Sequence, residues 1–298
     1  MIEMALDQTE SAKGTPPCFL EQARLAAGRG GFQEALALLE RAASPTESNR
    51  GEALRLRGLV RLRLGQVKEA VEDLEGATAA LGDHAPCLRE FGVARLRLGV
   101  FDGALEALQR CLRLDPDDAQ AHAATAGALL RLGRAGEALK SISSAISLEP
   151  HDAGHLHNRA VISTTLGRHR EATHDYEQVL SREPQSAGTM NNLAWLLAVA
   201  PDPALRDGPR AVDLARRAVA RGRTGAWLDT LAAAQAACGD FELAIRTERE
   251  ALELSSPPNA AFKERLDLYR QGRCWTLTKS FDRQRVKLPA VHDPQGAS

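Results

Sequence analysis

Two stretches of the 298-residue chain carry side chains of the kind that hold a metal ion. HDAGHLH supplies His151, Asp152, His155 and His157, and HREATH supplies His169, Glu171 and His174. A zinc site of the HExxH kind needs two histidines four residues apart, on one face of a helix. His169 and His174 are five apart, so on a regular helix they point roughly 140° away from each other. His151 follows Pro150 in a turn, so its separation from His155 has no helical meaning. The spacing predicts solvated histidines rather than a metal site, and no cofactor is expected.

Other chemistry has as little to rest on. The five cysteines, Cys18, Cys87, Cys111, Cys238 and Cys274, are odd in number and never paired as CxxC. They read as reduced thiols rather than a disulfide framework or a zinc cage. No GxxxxGK[ST] phosphate loop, GxSxG nucleophile elbow or kinase signature set occurs, and GRGGF is only a turn. The expectation is a protein that is not an enzyme.

Composition sets further bounds. With 44% hydrophobic, 26% charged and 4% aromatic residues, the chain has the make-up of a folded protein. Its alanine and leucine suit helix-on-helix packing better than a sheet. A net charge of -1 provides no global positive field for a nucleic acid. No apolar run approaches the ~18 residues of a membrane span, and the N-terminus lacks the apolar core of a signal peptide. A cytoplasmic location, with no nucleic-acid or membrane partner, is expected.

The elements that position these residues recur. Ala35, Ala70, Ala104, Ala138, Ala172, Ala211 and Ala244 each open an apolar stripe, at spacings of 35, 34, 34, 34, 39 and 33. Seven residues later runs a second small-residue series, through Ala42, Ala77, Cys111, Ala145, Val179, Ala218 and Ala251. Glycine stands five residues before the first alanine at Gly30, Gly65, Gly99, Gly133, Gly167 and Gly239, and the sixth repeat alone breaks the rule.

Each series has a physical cause. In the stretch Ala85 to Asp118, Leu88, Phe91, Gly92 and Leu98 share one helical face, Gly99 breaks the helix, and Phe101, Ala104, Leu105, Leu108 and Cys111 form the stripe of a second. Gly92 and Ala104 let the two helices approach closely. Pro116 stops the second helix, and Pro150 and Pro184 stand at the same place in later repeats. The repeating element is a helical hairpin. In RLRLG, which occurs at Arg61 to Gly65 and Arg95 to Gly99, leucine and arginine alternate because one face is packed and the other wet.

These small residues and prolines resemble the tetratricopeptide repeat, a helix-turn-helix element of 34 residues. The resemblance implies an all-α, right-handed superhelical solenoid of about seven hairpins, at 16–50, 51–84, 85–118, 119–152, 153–186, 187–224 and 225–258. A capping helix over 259–271, with Phe262, Leu266 and Tyr269 on one face, would follow. Residues 1–15 are expected as a flexible N-terminus and 272–298 as a flexible tail. The chain departs from the family where Arg61 and Arg95 replace the usual tyrosine, and in the extra residues of AVAPDPALRDGPR. NNLAWLLAVAPDPALRDGPRAVDLARRAV resembles terminal repeats of bacterial members, some of them attached to kinases.

The resemblance also implies where a partner would bind. First helices line the concave face, and an asparagine at the sixth position of a repeat can hydrogen-bond the backbone of an extended peptide. Asn158 and Asn192 occupy that position in consecutive repeats, with His157, Asn191 and Trp195 nearby. Both asparagines are expected to be exposed, so that alanine in their place leaves stability nearly unchanged. Trp195 would anchor a ligand or, the reading preferred, pack against the insertion of its own repeat. Arg63, Arg97 and Arg131, spaced by 34, would attract acidic side chains at the rim. The implied function is a non-catalytic scaffold for a peptide or protein partner. A regulatory module of a larger enzyme such as a bacterial kinase, or an RNA-binding array, is the alternative.

Overall fold

The structure, a computed structural model, describes residues 19–42, 49–255 and 259–277. The expected flexible N-terminus (1–15) and the tail beyond 277 lie outside these residues. Among the described residues the regular structure is fifteen α-helices and one 3-10 turn. They fall into two compact blocks, one ending at Arg134 and the other beginning at Ala135.

The first block contains α1 (Phe19–Gly28), α2 (Phe32–Ala42), α3 (Arg50–Arg63), α4 (Val67–Leu81), α5 (Ala85–Leu98), α6 (Phe101–Leu114) and α7 (Ala119–Arg131). The second contains α8 (Ala135–Leu148), α9 (Ala153–Thr165), α10 (His169–Arg182), α11 (Ala187–Val199), α12 (Gly208–Val219), α13 (Gly225–Ala237), α14 (Phe241–Glu253) and α15 (Ala260–Arg270). Within each block consecutive helices pack as hairpins, α3 on α4 and α13 on α14 for example, and α15 packs on α14.

Within each block the core of the hairpins is the small-residue series. Ala70, Ala104, Ala138, Ala172, Ala211 and Ala244 have no exposed surface, and neither do Ala77, Cys111, Ala145, Ala218 and Ala251. The facing position on the first helix is Gly58 in α3 and Gly92 in α5. A Cβ on Gly58 would lie 2.7 Å from Leu74 Cγ, and one on Gly92 would lie 2.6 Å from Leu108 Cγ. Six turn glycines (30, 65, 99, 133, 167 and 239) take positive φ of 74 to 87°, the left-handed conformation that closes a helix at little cost only for glycine. Where the sixth repeat lacks this glycine, Ala200 to Asp207 form a longer connection with a 3-10 turn at Pro203–Leu205. Asp207 N–H closes it on Leu197 O at 3.0 Å.

The arginines that alternate with leucine fasten the hairpins. Arg57 and Arg61 of α3 both bind Asp73 of α4, Arg57 Nε at 2.9 Å and Arg61 Nη1 at 2.7 Å. Arg159 of α9 holds Asp175 of α10 across the same sixteen-residue separation. Arg95 donates to Gly103 O at 3.2 Å and lies 4.0 Å from the Phe91 ring centroid. The wet face expected for these side chains is therefore partly a set of hairpin contacts.

The close approach and the open helix surface should respond oppositely to one methyl group. Gly92→Ala should lower unfolding stability by ~1 to 3 kcal/mol, because Leu108 must move. Gly136→Ala in α8, where an added Cβ meets nothing within 4 Å, should raise it by ~0.5 to 1 kcal/mol. Urea titrations followed by circular dichroism would check both.

Candidate functional site

First helices carry most of the side chains that could meet a partner, and in the first block these are largely committed to one another. Arg24 of α1 binds Glu52 of α3 at 2.9 Å, and Arg55 of α3 binds Glu52 at 2.8 Å and Glu90 of α5 at 2.6 Å. This charge ladder joins three first helices. Burial pushes the Glu90 carboxyl above its ordinary range, and Arg55 partly offsets that. Burial also pushes the Cys87 thiol up to about 12 and the Cys111 thiol to about 11, so both are neutral and poorly nucleophilic near pH 7. Arg63, Arg97 and Arg131 are exposed at the ends of α3, α5 and α7, where a cation complements the helix dipole. Arg131 lies 5.1 Å from the Phe101 ring centroid.

In the second block the expected site residues divide. His157, Asn158 and Asn192 are buried, whereas Asn191 and Trp195 are half-buried. The expectation that both sixth-position asparagines are exposed is thus corrected: α8 and α10 pack around α9, and α10, α12 and α13 around α11, and the assembled helices cover the position. His157 Nδ1 is 2.8 Å from Thr189 Oγ1 of α11, and its ring meets Tyr176 edge-on at 5.7 Å. Asn191 Oδ1 is a buried atom with no hydrogen-bond partner among the described residues, and the Asn192 side chain hydrogen-bonds to Tyr176. Asn191 Nδ2 reaches Asn192 Oδ1 at 3.5 Å.

Trp195 meets an aromatic residue that the sequence reading did not pair with it. Its ring lies 5.3 Å from that of Trp275, a residue expected in the tail. Arg265 of α15 sits beside both, 5.3 Å from the Trp195 centroid and 5.5 Å from that of Trp275. Its guanidinium donates to Asp229 of α13 and is 4.0 Å from Glu248 of α14. Arg265, Asp229 and Glu248 are all buried. Burial and the neighbouring Asp229 charge raise the Glu248 carboxyl to about 10, and burial raises Asp229 as well. Near neutral pH Glu248 is uncharged, and the Arg265 guanidinium works against the rise of the Asp229 carboxyl.

The chain after α15 completes this surface. Gly272 takes φ 67° and ends the helix, and residues 273–277 have no regular structure. Cys274 Sγ lies 3.1 Å from Ala236 O of α13, and Leu277 N–H donates to Val199 O of α11 at 2.9 Å. Leu277 itself is buried. Sequence reasoning missed Arg265, Trp275 and Leu277. CWTL has no helical period, and a cationic residue beside a capping helix ordinarily points to water.

The histidine-rich stretches also differ from expectation, since His155 and His157 are buried rather than solvated. Asp152 caps α9 by accepting the His155 N–H at 2.9 Å, and His155 Nε2 is 3.0 Å from Glu149 Oε2. Glu149, Asp152 and His155 offer potential ligand atoms within 4.8 Å of one another. Pairing histidine with histidine in the sequence concealed this grouping, whose atoms are engaged in capping and in the His155–Glu149 contact.

Family models described as tetratricopeptide repeat match residues 20–86 and 89–153, and another of that description matches 156–186. A tetratricopeptide repeat protein from Parabacteroides merdae has a similar structure, with TM-score 0.64 and 16% identity over 85% of this chain and 97% of that one. MamA from Desulfovibrio magneticus RS-1 is similar over 56% of this chain and 94% of its own, with TM-score 0.51 and 20% identity. At these identities the likeness concerns the fold alone. No curated protein matches the sequence. Among the described residues no helix is long and apolar enough to cross a membrane.

The buried positions carry two expectations. His157→Ala should cost ~1 to 3 kcal/mol of unfolding free energy, because it strips a buried partner from Thr189 and opens space beside Tyr176. Glu248 is neutral in the folded chain but ionised above the ordinary carboxylate range when unfolded. Stability should therefore decline as pH climbs from that range towards about 10. Glu248→Gln should flatten the decline, and thermal melts across that window would show it.

Proposed function

We propose that this chain, which belongs to the tetratricopeptide-repeat family, is a non-catalytic scaffold. It holds a peptide or protein segment on the face of its first helices. One observation carries the reading: α11 and α13 already receive a stretch of chain without regular structure, residues 273–277. An indole on Trp195 and a main-chain N–H on Val199 O hold it.

The physical basis is general to helix ends. The last carbonyls of an α-helix have no partner within the helix, so they accept from any donor brought close. Val199 is the last residue of α11, and its carbonyl is satisfied in this way. An extended peptide presents such donors at every second residue on one side. Recognition through main-chain bonds then needs only a few side-chain pockets for selectivity.

The residue roles follow from position. Trp195 is the apolar anchor, and Asn191 provides an amide group one helical turn away, with buried Asn192 behind it. His157 and Asn158 stiffen the neighbouring first helix from beneath. In the first block Arg63, Arg97 and Arg131 supply exposed cations for acidic side chains of a partner. The charge ladder from Arg24 to Glu90 holds first helices together.

Affinity capture with the full chain, read by mass spectrometry, tests this. The double variant Asn191→Arg with Trp195→Ala should lose captured partners by about tenfold or more, the effect of ~1.4 kcal/mol or greater. Replacing exposed Glu106 and Lys140 on second helices with alanine should leave capture unchanged. Loss with the second-helix pair and retention with the first-helix pair would place the interaction on the other face.

A further inference from the structure

We infer that residues 273–277 are a built-in ligand of the α11–α13 face, a deepening that rests on the scaffold reading above. The face then selects an extended segment in which an aromatic residue is followed two positions later by an aliphatic one. It stays closed until such a segment from a partner displaces the chain's own.

The contacts are those of a bound peptide. Trp275 stacks on Trp195 with the planes inclined by 37°, and Leu277, two residues on, is 6% exposed. Between them Thr276 is half-buried. Trp275 and Leu277, two residues apart, thus both reach the protein. Leu277 N–H meets the open carbonyl at the end of α11. The Arg265 guanidinium lies beside both indoles and is held by Asp229. The receiving surface is therefore built by buried groups of α11, α13 and α15.

The self-segment leaves part of that surface unmet. Asn191 Oδ1, an acceptor one turn before Trp195 on a half-buried residue, has no hydrogen-bond partner among the described residues. A segment from a partner that presents a main-chain N–H there gains a hydrogen bond that residues 273–277 do not make. This difference lets a partner compete, although the tethered segment has a high effective concentration.

The probe is a fluorescein-labelled peptide of sequence GRCWTLT, added under reducing conditions to the full chain and followed by fluorescence anisotropy. The double variant Trp275→Ala with Leu277→Ala should bind it at least about tenfold more tightly than the unaltered chain. Adding Trp195→Ala should abolish the gain, and a scrambled peptide should bind neither protein. Equal binding by the unaltered chain and the double variant, or a gain that survives Trp195→Ala, overturns the proposal. Should the double variant fail to fold by circular dichroism, Leu277→Pro, which deletes the amide donor and lies outside any helix, carries the same expectation. A negative probe assay with capture still dependent on Asn191 and Trp195 removes the built-in ligand and leaves the scaffold reading standing. Capture indifferent to those two residues removes the scaffold reading itself.

Discussion

The close approach of two helices within each hairpin is the constraint on which the rest of the structure depends. Gly58 and Gly92 lie so near Leu74 and Leu108 that not even a methyl group fits without movement. The alanines on the partner helices have no exposed surface. Short separation brings the leucines of both helices into contact and fixes which face of each first helix remains for anything else. A larger residue at one crossing would alter the hairpin and the surface its first helix presents.

Charge is arranged around that packing. Arg57, Arg61 and Arg159 reach from a first helix to an aspartate on the second, and Arg24, Arg55 and Glu90 link successive first helices. A chain with 38 basic and 39 acidic residues thus places many of its arginines in internal bonds. The buried group of Arg265, Asp229 and Glu248 is a different case. Taking such charges out of water is costly, and the attraction between them only partly offsets the cost. Keeping Glu248 protonated reduces it, and the position of Arg265 beside two tryptophans is the specific geometry obtained.

Much of the fold was legible in the sequence because its determinants are local and repeated. The glycine series reports the left-handed turn that only glycine adopts without strain, and the six glycines read from it have that conformation. The alanine series reports the crossing point, where side-chain volume is excluded. Both signals require only counting residues along the chain. The missing glycine of the sixth repeat marked the connection that the structure builds from Ala200 to Asp207.

What only the tertiary structure decided is which polar and aromatic residues meet. Asn158, Asn192 and His157 looked like surface residues of a groove, yet the packing of the helices around α9 and α11 buries them. Arg265 lies 36 residues from Asp229 and 70 from Trp195, separations over which composition and period carry no information about contact. Trp275 and Leu277 follow the last helix in a stretch without period, and docking onto α11 gives them their partners. The sequence by itself determined the repeat, its turns and its small-residue core, because each follows from steric rules acting within some 34 residues. The candidate site was settled by packing, because burial and pairing are properties of several helices together.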